Sequence, residues 1–166
     1  MPLPDPPSPP ASPEQAFAHL RKAVIEELRE GTGNPALDLD DSDSVDLQLG
    51  DVQLVVWVRN EPLSVRVWCG LAKPVDLTPE VGAFLNDANN ELMFARVYSY
   101  RDAIFLTVDV QAEPFSTAHL RQAVIGIASL TPQLRAHLAA ECEAQVEAIA
   151  EQDVPFAMGM WSAANC

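Results

Sequence analysis

Three side chains toward the end of the sequence are of metal-ligating type. His137, Glu141 and Cys142 fall within about one and a half turns of a helix. His137 and Glu141, at i and i+4, share a helix face. Cys142 belongs to the apolar stripe of the same helix, so the three do not converge on one tetrahedral zinc ion. Carboxylates gather in "DLDDSDSVD" at Asp38, Asp40, Asp41 and Asp43, oxygen chemistry suited to a hard cation. The stretch lacks the mid-loop glycine and closing glutamate of a calcium-binding hand, and it reads as a solvated acidic loop. No C-x-x-C, H-E-x-x-H, G-x-S-x-G, P-loop or dinucleotide fingerprint occurs. Scattered Ser, His and Asp have no spacing that assembles a triad. The sequence therefore points to a non-enzymatic protein with no cofactor and no metal, whose function lies in a surface.

That surface is written in alternating stretches. Along a strand, successive side chains point to opposite faces. In "VQLVVWVRN", Leu54, Val56 and Val58 share one face, and Gln53, Val55, Trp57 and Arg59 the other. "SVRVWCG" gives Val65, Val67 and Cys69 against Arg66 and Trp68. "LMFARVYSY" gives Met93, Ala95 and Val97 against Phe94, Arg96, Tyr98 and Tyr100. "AIFLTVDVQ" gives Ile104, Leu106, Val108 and Val110 against Phe105, Thr107 and Asp109. The purely apolar faces should align and pack against helices. The mixed faces then gather Trp57, Arg59, Arg66, Trp68, Phe94, Arg96, Tyr98 and Phe105, with Trp57 and Trp68 on the same side. Trp, Tyr and Arg are enriched where partners bind, so these eight residues are the candidate protein-binding site. Cover by the chain's own helices or tail is the alternative.

The elements that must position this face follow in order. Residues 1–11, "MPLPDPPSPPA", form a Pro-rich arm that cannot be helix or central strand. In "SPEQAFAHLRKAVIEELREG", Ser12 caps, Pro13 suits the first helical position, Gln15 completes a capping box, and Gly31 is a stop. Two strands flank Gly50-Asp51, a tight hairpin signal, and a third follows Asn60-Glu61-Pro62. Thr78 caps a second helix carrying Val81, Phe84, Leu85 and Ala88, which exits at Asn89-Asn90. A second hairpin turns at Arg101-Asp102. From Ser116 to about Gln152 the pattern is helical, and Pro132 is expected to kink or restart it with Thr131 as a new cap. The fold class is therefore α+β: α-β-β-β-α-β-β-α, a twisted antiparallel sheet with helices packed on one face. A domain over 12–152 is followed by an apolar C-terminal tail, 153–166. There the i, i+2 placing of Val154, Phe156, Met158 and Met160 suits an extended segment lying over this subunit or a second one.

Composition narrows the partners. Ten Lys+Arg stand against 24 Asp+Glu, a formal net charge of −14, which repels phosphate backbones and anionic lipid surfaces. Neither nucleic acid nor membrane is expected as a partner. No secretory signal pattern and no apolar run of spanning length is present. Three widely spaced cysteines suit a reducing cytoplasm.

The string "VGAFLNDANNELMFARVYSYRDAIFLTVDV", continued by "FSTAHLRQAV", resembles the YbjN family, whose fold is similar to that of type III secretion chaperones. A helix ending in Leu85-Asn86 and Asn89 leads into a strand hairpin and a long terminal helix, and the element order agrees over roughly residues 12–152. The resemblance implies a small cytoplasmic homodimer that binds client proteins or peptides. The alternative is a regulatory adaptor that recognises a single folded partner. Recovery of many unrelated proteins with the chain favours the first, and one stoichiometric partner the second.

Overall fold

The computed structural model describes residues 12–73 and 75–141, the side chain of Glu141 excepted. The Pro-rich arm, the apolar tail, and Cys142, Val146 and Ile149 lie outside the described residues. The tail's expected extended placement therefore also lies outside them.

Helix α1 spans Pro13–Thr32. Its start is the expected capping box: the Ser12 hydroxyl accepts from the Gln15 N–H at 3.2 Å, and the Gln15 side chain accepts from the Ser12 N–H at 3.1 Å. The stop is not Gly31. The helix runs past it to Thr32, and Gly33 ends it at φ 67°, in the left-handed region that glycine enters without penalty. Strands β1 (Ser44–Leu49) and β2 (Val52–Arg59) form the first hairpin, with Gly50 at φ 60° in its turn. Strand β3 (Ser64–Ala72) continues two residues beyond the expected end at Gly70 through an irregularity between Gly70 and Ala72. Helix α2 (Pro79–Glu91) starts at Thr78, whose hydroxyl accepts from the Val81 N–H at 3.3 Å. Strands β4 (Ala95–Tyr100) and β5 (Ala103–Gln111) follow. Helix α3 (Thr117–Glu141) closes the described chain.

Pro132 lies inside α3 without a restart. Thr131 does not cap a new helix. It is buried, donates its hydroxyl back to the Ile127 carbonyl at 2.7 Å, and meets Cys69 Sγ at 3.0 Å. A threonine already bonded within the helix and to the sheet has no side-chain oxygen left for capping, and packing on the sheet holds the helix through the proline.

The five strands lie in the order β1-β2-β3-β5-β4, every neighbouring pair antiparallel. One face carries the main core. Leu54, Val56 and Val58, Val65, Val67 and Cys69, Ala95 and Val97, and Ile104, Leu106 and Val110 pack there against all three helices. The helices contribute Leu20, Val24 and Leu28 from α1, Val81, Phe84 and Ala88 from α2, and Leu120, Ala123, Val124, Ile127 and Leu138 from α3. Each fully buried branched side chain contributes about 1.5–3 kcal/mol relative to exposure, so this layer fixes the register of every strand. A part-buried ion pair ties α1 to α3: Arg121 Nε and Nη2 both approach Glu27 Oε1, at 2.7 and 2.6 Å, with Glu27 8% and the Arg121 side chain 54% exposed.

Two expected strand positions differ in the structure. Met93 was expected on the core face and Phe94 on the opposite face of the fourth strand. Both instead lie in the bend before β4, exposed at 84% and 81%. The cause is Asn89. Its side-chain amide, on the last turn of α2, is fixed to the Val97 backbone, with Nδ2 donating to the Val97 carbonyl at 2.7 Å and Oδ1 accepting from the Val97 N–H at 2.9 Å. With Val97 held against the helix end, the residues just before Ala95 are consumed in reversing the chain.

Candidate functional site

The outer face of the sheet, opposite the helices, can be read row by row from the strand registers. Ser44, Trp57, Arg66 and Asp109 form one row across β1, β2, β3 and β5. Val55, Trp68, Thr107 and Arg96 form the next across β2, β3, β5 and β4. Phe105 faces Tyr98 in the row after that, and Ala103 faces Tyr100. Trp57 and Trp68 thus share a face, and it is the face turned from α1. Seven of the eight sequence-selected residues are brought together here. Phe94 is not on the sheet face but in the bend beside it.

The seven divide into a floor and a rim. Val55, Trp68, Ala103 and Phe105 are buried, with Tyr98 and Tyr100 packed against them as a second, smaller core. Trp68 meets Phe105 edge to face at 5.9 Å between centroids, and Tyr98 stacks on Phe105 at 5.6 Å. Such pairs contribute about 0.5–1.5 kcal/mol beyond area burial. Trp68 and Phe105, 6% and 3% exposed, therefore support the surface rather than present it. Burial pushes the Tyr98 phenol up, so it stays a neutral hydrogen-bonding group. The rim is Trp57, Arg59, Arg66 and Tyr98, all part-buried, with Arg96 exposed.

Charge on the rim is asymmetric. Arg66 stands directly opposite Asp109 and grips it with a two-point fork, Nε to Oδ1 at 2.7 Å and Nη2 to Oδ2 at 2.8 Å. That hydrogen bonding is the main reason the Arg66 guanidinium is held above its ordinary value. Arg59, one strand over, reaches the same carboxylate only at 4.0 Å. Burial, and then repulsion from Arg66, pull the Arg59 guanidinium below its ordinary value. It lies over the Trp57 ring, 5.4 Å from the centroid. The indole is fixed from behind by its own N–H, which donates to the Ser42 carbonyl at 3.1 Å. Asp109 was not among the eight residues, although strand parity already placed it on their face; an acid at parity with three arginines was the available signal.

Three of the four carboxylates of the acidic loop are otherwise engaged. Asp40 accepts from the Ser42 N–H at 2.8 Å and from the Ser44 N–H and hydroxyl, both at 2.9 Å. Burial opposes ionisation of Asp40, but these hydrogen bonds, led by the Ser44 backbone, outweigh it and hold the carboxyl below its ordinary value. Asp43 pairs with Arg21 at 2.8 Å and Asp38 with Arg29 at 3.6 Å. The His137 ring rests against Phe84 at 5.1 Å, while Cys142 lies outside the described residues. Among the described residues no group of three or more His, Cys, Asp or Glu is placed to hold a metal ion. No helix among them is long and apolar enough to cross a membrane.

With this geometry in place, comparison with known proteins decides the class. A family model described as "T3SS (YopN, CesT) and YbjN peptide-binding chaperone 1" matches residues 18–147. The chain belongs to this family. Two solved structures share the fold. The HopA1-SchA chaperone-effector complex contains a chain with TM-score 0.59 and 13% identity, the match covering 76% of this chain and 99% of that one. The Yersinia pestis type III secretion chaperone SycH, in complex with a stable fragment of YscM2, matches with TM-score 0.53 and 10% identity over 68% of this chain and 97% of that one. No curated protein sequence matches the chain.

Proposed function

We propose that the protein is a non-enzymatic, cytoplasmic chaperone-type module that works as a homodimer and holds an extended client segment across the outer face of its sheet. The observation that carries this reading is the aromatic and arginine rim of Trp57, Arg59, Arg66, Arg96 and Tyr98 on the face opposite the helices. A rigid floor of Trp68 and Phe105 under that rim gives the preorganisation that a binding surface needs. Family membership supports a peptide as the ligand class. Met93 and Phe94 supply a second apolar surface, separate from the rim, for contact between subunits.

Site-directed photo-crosslinking tests the assignment of the face. A benzoylphenylalanine placed at Trp57 or Tyr98 should capture extended, unfolded client peptides, and the same group at Ile125 on α3 should not. Capture from Ile125 alone would overturn the assignment. Capture of one folded protein in place of peptides would overturn the chaperone reading in favour of an adaptor. Light scattering checks the dimer: a monomer across a wide concentration range contradicts it.

A further inference from the structure

The rim does more than offer apolar contact. We infer that Arg59, stacked on Trp57 beside the Arg66–Asp109 pair, forms a subsite for a single carboxylate carried by the bound segment. This rests on the outer face being the peptide site.

The case begins with counting charges at one spot. Two guanidiniums meet one carboxylate, and the geometry divides that carboxylate unequally. Arg66 takes both oxygens of Asp109 in a fork. Arg59 is left with a 4.0 Å contact, too long for a hydrogen bond, and its side chain is only 15% exposed. Most of the side chain is covered, and the Asp109 carboxylate lies beyond hydrogen-bond reach of its NH groups. An incoming carboxylate would give Arg59 an acceptor and a counter-charge within reach. Arginine suits this role because its planar fork binds carboxylates at two points and stacks on an aromatic face at the same time.

The rest of the molecule sharpens the preference. The chain carries a formal net charge of −14, so a segment with many acidic residues is repelled nearly everywhere else. A carboxylate meets a guanidinium at Arg59 and a repelling overall charge elsewhere on the chain. The fitted ligand is an extended segment with one carboxylate next to apolar or aromatic residues, which would rest on Trp57 and Tyr98. The carboxylate can be an Asp or Glu side chain or the free end of a chain; the chemistry at Arg59 is the same.

Fluorescence anisotropy with three labelled peptides separates the possibilities. All share a short alternating apolar and serine sequence. The first has a central glutamate and a blocked C-terminus, the second a central glutamine and a blocked C-terminus, and the third a central glutamine and a free C-terminal carboxylate. The intact protein should bind the first or the third about ten-fold more tightly than the second, the size of one charge-assisted hydrogen-bonded pair. The preference should weaken with added salt. Arg59→Gln should remove it, so that all three peptides bind the variant with the same affinity. The peptide that shows the preference identifies the carboxylate's source. Equal binding of all three by the intact protein would overturn the subsite while leaving the peptide face standing. A preference that survives Arg59→Gln would move it to another residue and overturn the assignment. If none of the peptides binds, the peptide-face reading fails and the subsite with it.

Discussion

Asn89 is the residue whose replacement tests the physical reasoning most sharply. Its amide stands where a sixth strand would otherwise pair with β4, donating to the Val97 carbonyl at 2.7 Å and accepting from the Val97 N–H at 2.9 Å, while also donating to the Leu85 carbonyl at 2.8 Å. A neutral hydrogen bond contributes a net of about 0.5–1.5 kcal/mol. Water can reach the sheet edge and replace part of what is lost, and the Leu85 carbonyl keeps a helical partner. Asn89→Ala should therefore cost about 2 kcal/mol, the two Val97 bonds only. For a chain of this size that lowers the melting temperature by about 4–8 °C. Asn89→Asp is the isosteric control. It keeps the acceptor for the Val97 N–H but turns an anionic oxygen toward two carbonyls, so near neutral pH it should be at least as damaging as alanine. Those carbonyls raise the carboxyl's folded-state pKa above its unfolded value. A raised pKa contributes stability that is present at low pH and lost as pH rises through it. The gap between Asn89→Asp and the native protein should consequently narrow on acidification, as the protonated acid regains a donor, while the Asn89→Ala gap stays constant. Urea denaturation across pH measures both gaps. An Asn89→Ala variant within about 0.5 kcal/mol of the native protein, the range of an ordinary surface substitution, would refute the edge-plug argument.

Further outcomes are expected. Arg121→Ala leaves the buried Glu27 carboxylate without its guanidinium and should cost about 1.5–3 kcal/mol in chemical denaturation, the range for a hydrogen bond to a charged group, whereas Glu27→Gln combined with Arg121→Met should cost less than Arg121→Ala alone. Trp68→Ala opens a cavity in the smaller core and should cost about 3–5 kcal/mol, while Trp57→Ala, on the part-buried rim, should cost less and show its main effect in peptide affinity. The Asp40 carboxyl is held below its ordinary value, so its contribution to stability is present above the unfolded pKa and is lost as pH falls through the folded one. Ser44→Ala should move its NMR titration upward, and an unmoved titration would show that the Ser44 hydroxyl does not hold it.

Period-2 alternation made most of the sheet legible. Leu54, Val56 and Val58 against Val55 and Trp57, or Ile104 and Leu106 against Phe105, have no other arrangement in which one face is purely aliphatic, and the structure buries each set on its own side. Caps were equally plain at Ser12 and Thr78, because a hydroxyl before a proline and a helical stripe has few other uses. What could not be read depended on contacts distant in sequence. Thr131 reads as a cap from sequence alone, but its oxygen is bonded to Ile127 and Cys69. Met93 and Phe94 fitted the strand pattern, and only the clamp between Asn89 and Val97 removes them from it. Within the candidate site, parity selected the face but not depth. It could not tell that Trp68 and Phe105 form a floor while Trp57 and Arg59 form a rim, because depth depends on which rings lean over which neighbours.

Depth on the face and closure at the edges together indicate how a segment would be held. Asn89 is not the only side chain that imitates a strand. At the start of β1, the Asp40 N–H donates to the Ser44 carbonyl at 2.8 Å and the Asp40 carboxylate accepts from the Ser44 N–H at 2.9 Å, so an acidic-loop residue satisfies Ser44 as Asn89 satisfies Val97. In an antiparallel ladder, outward-facing backbone groups recur at every second residue. On β4 they fall at Ala95, Val97 and Ser99, and the middle position is taken; on β1 they fall at Ser44, Asp46 and Gln48, and the first is taken. Edge strands of six residues interrupted in this way are poor templates for adding another strand, which also protects a sheet from pairing with its own copies. Recognition by backbone pairing along an edge is therefore disfavoured, and recognition by side chains across the face is left. In the proposed reading, that is the mode in which the rim, with Arg59 lying over Trp57, would select the segments that are held.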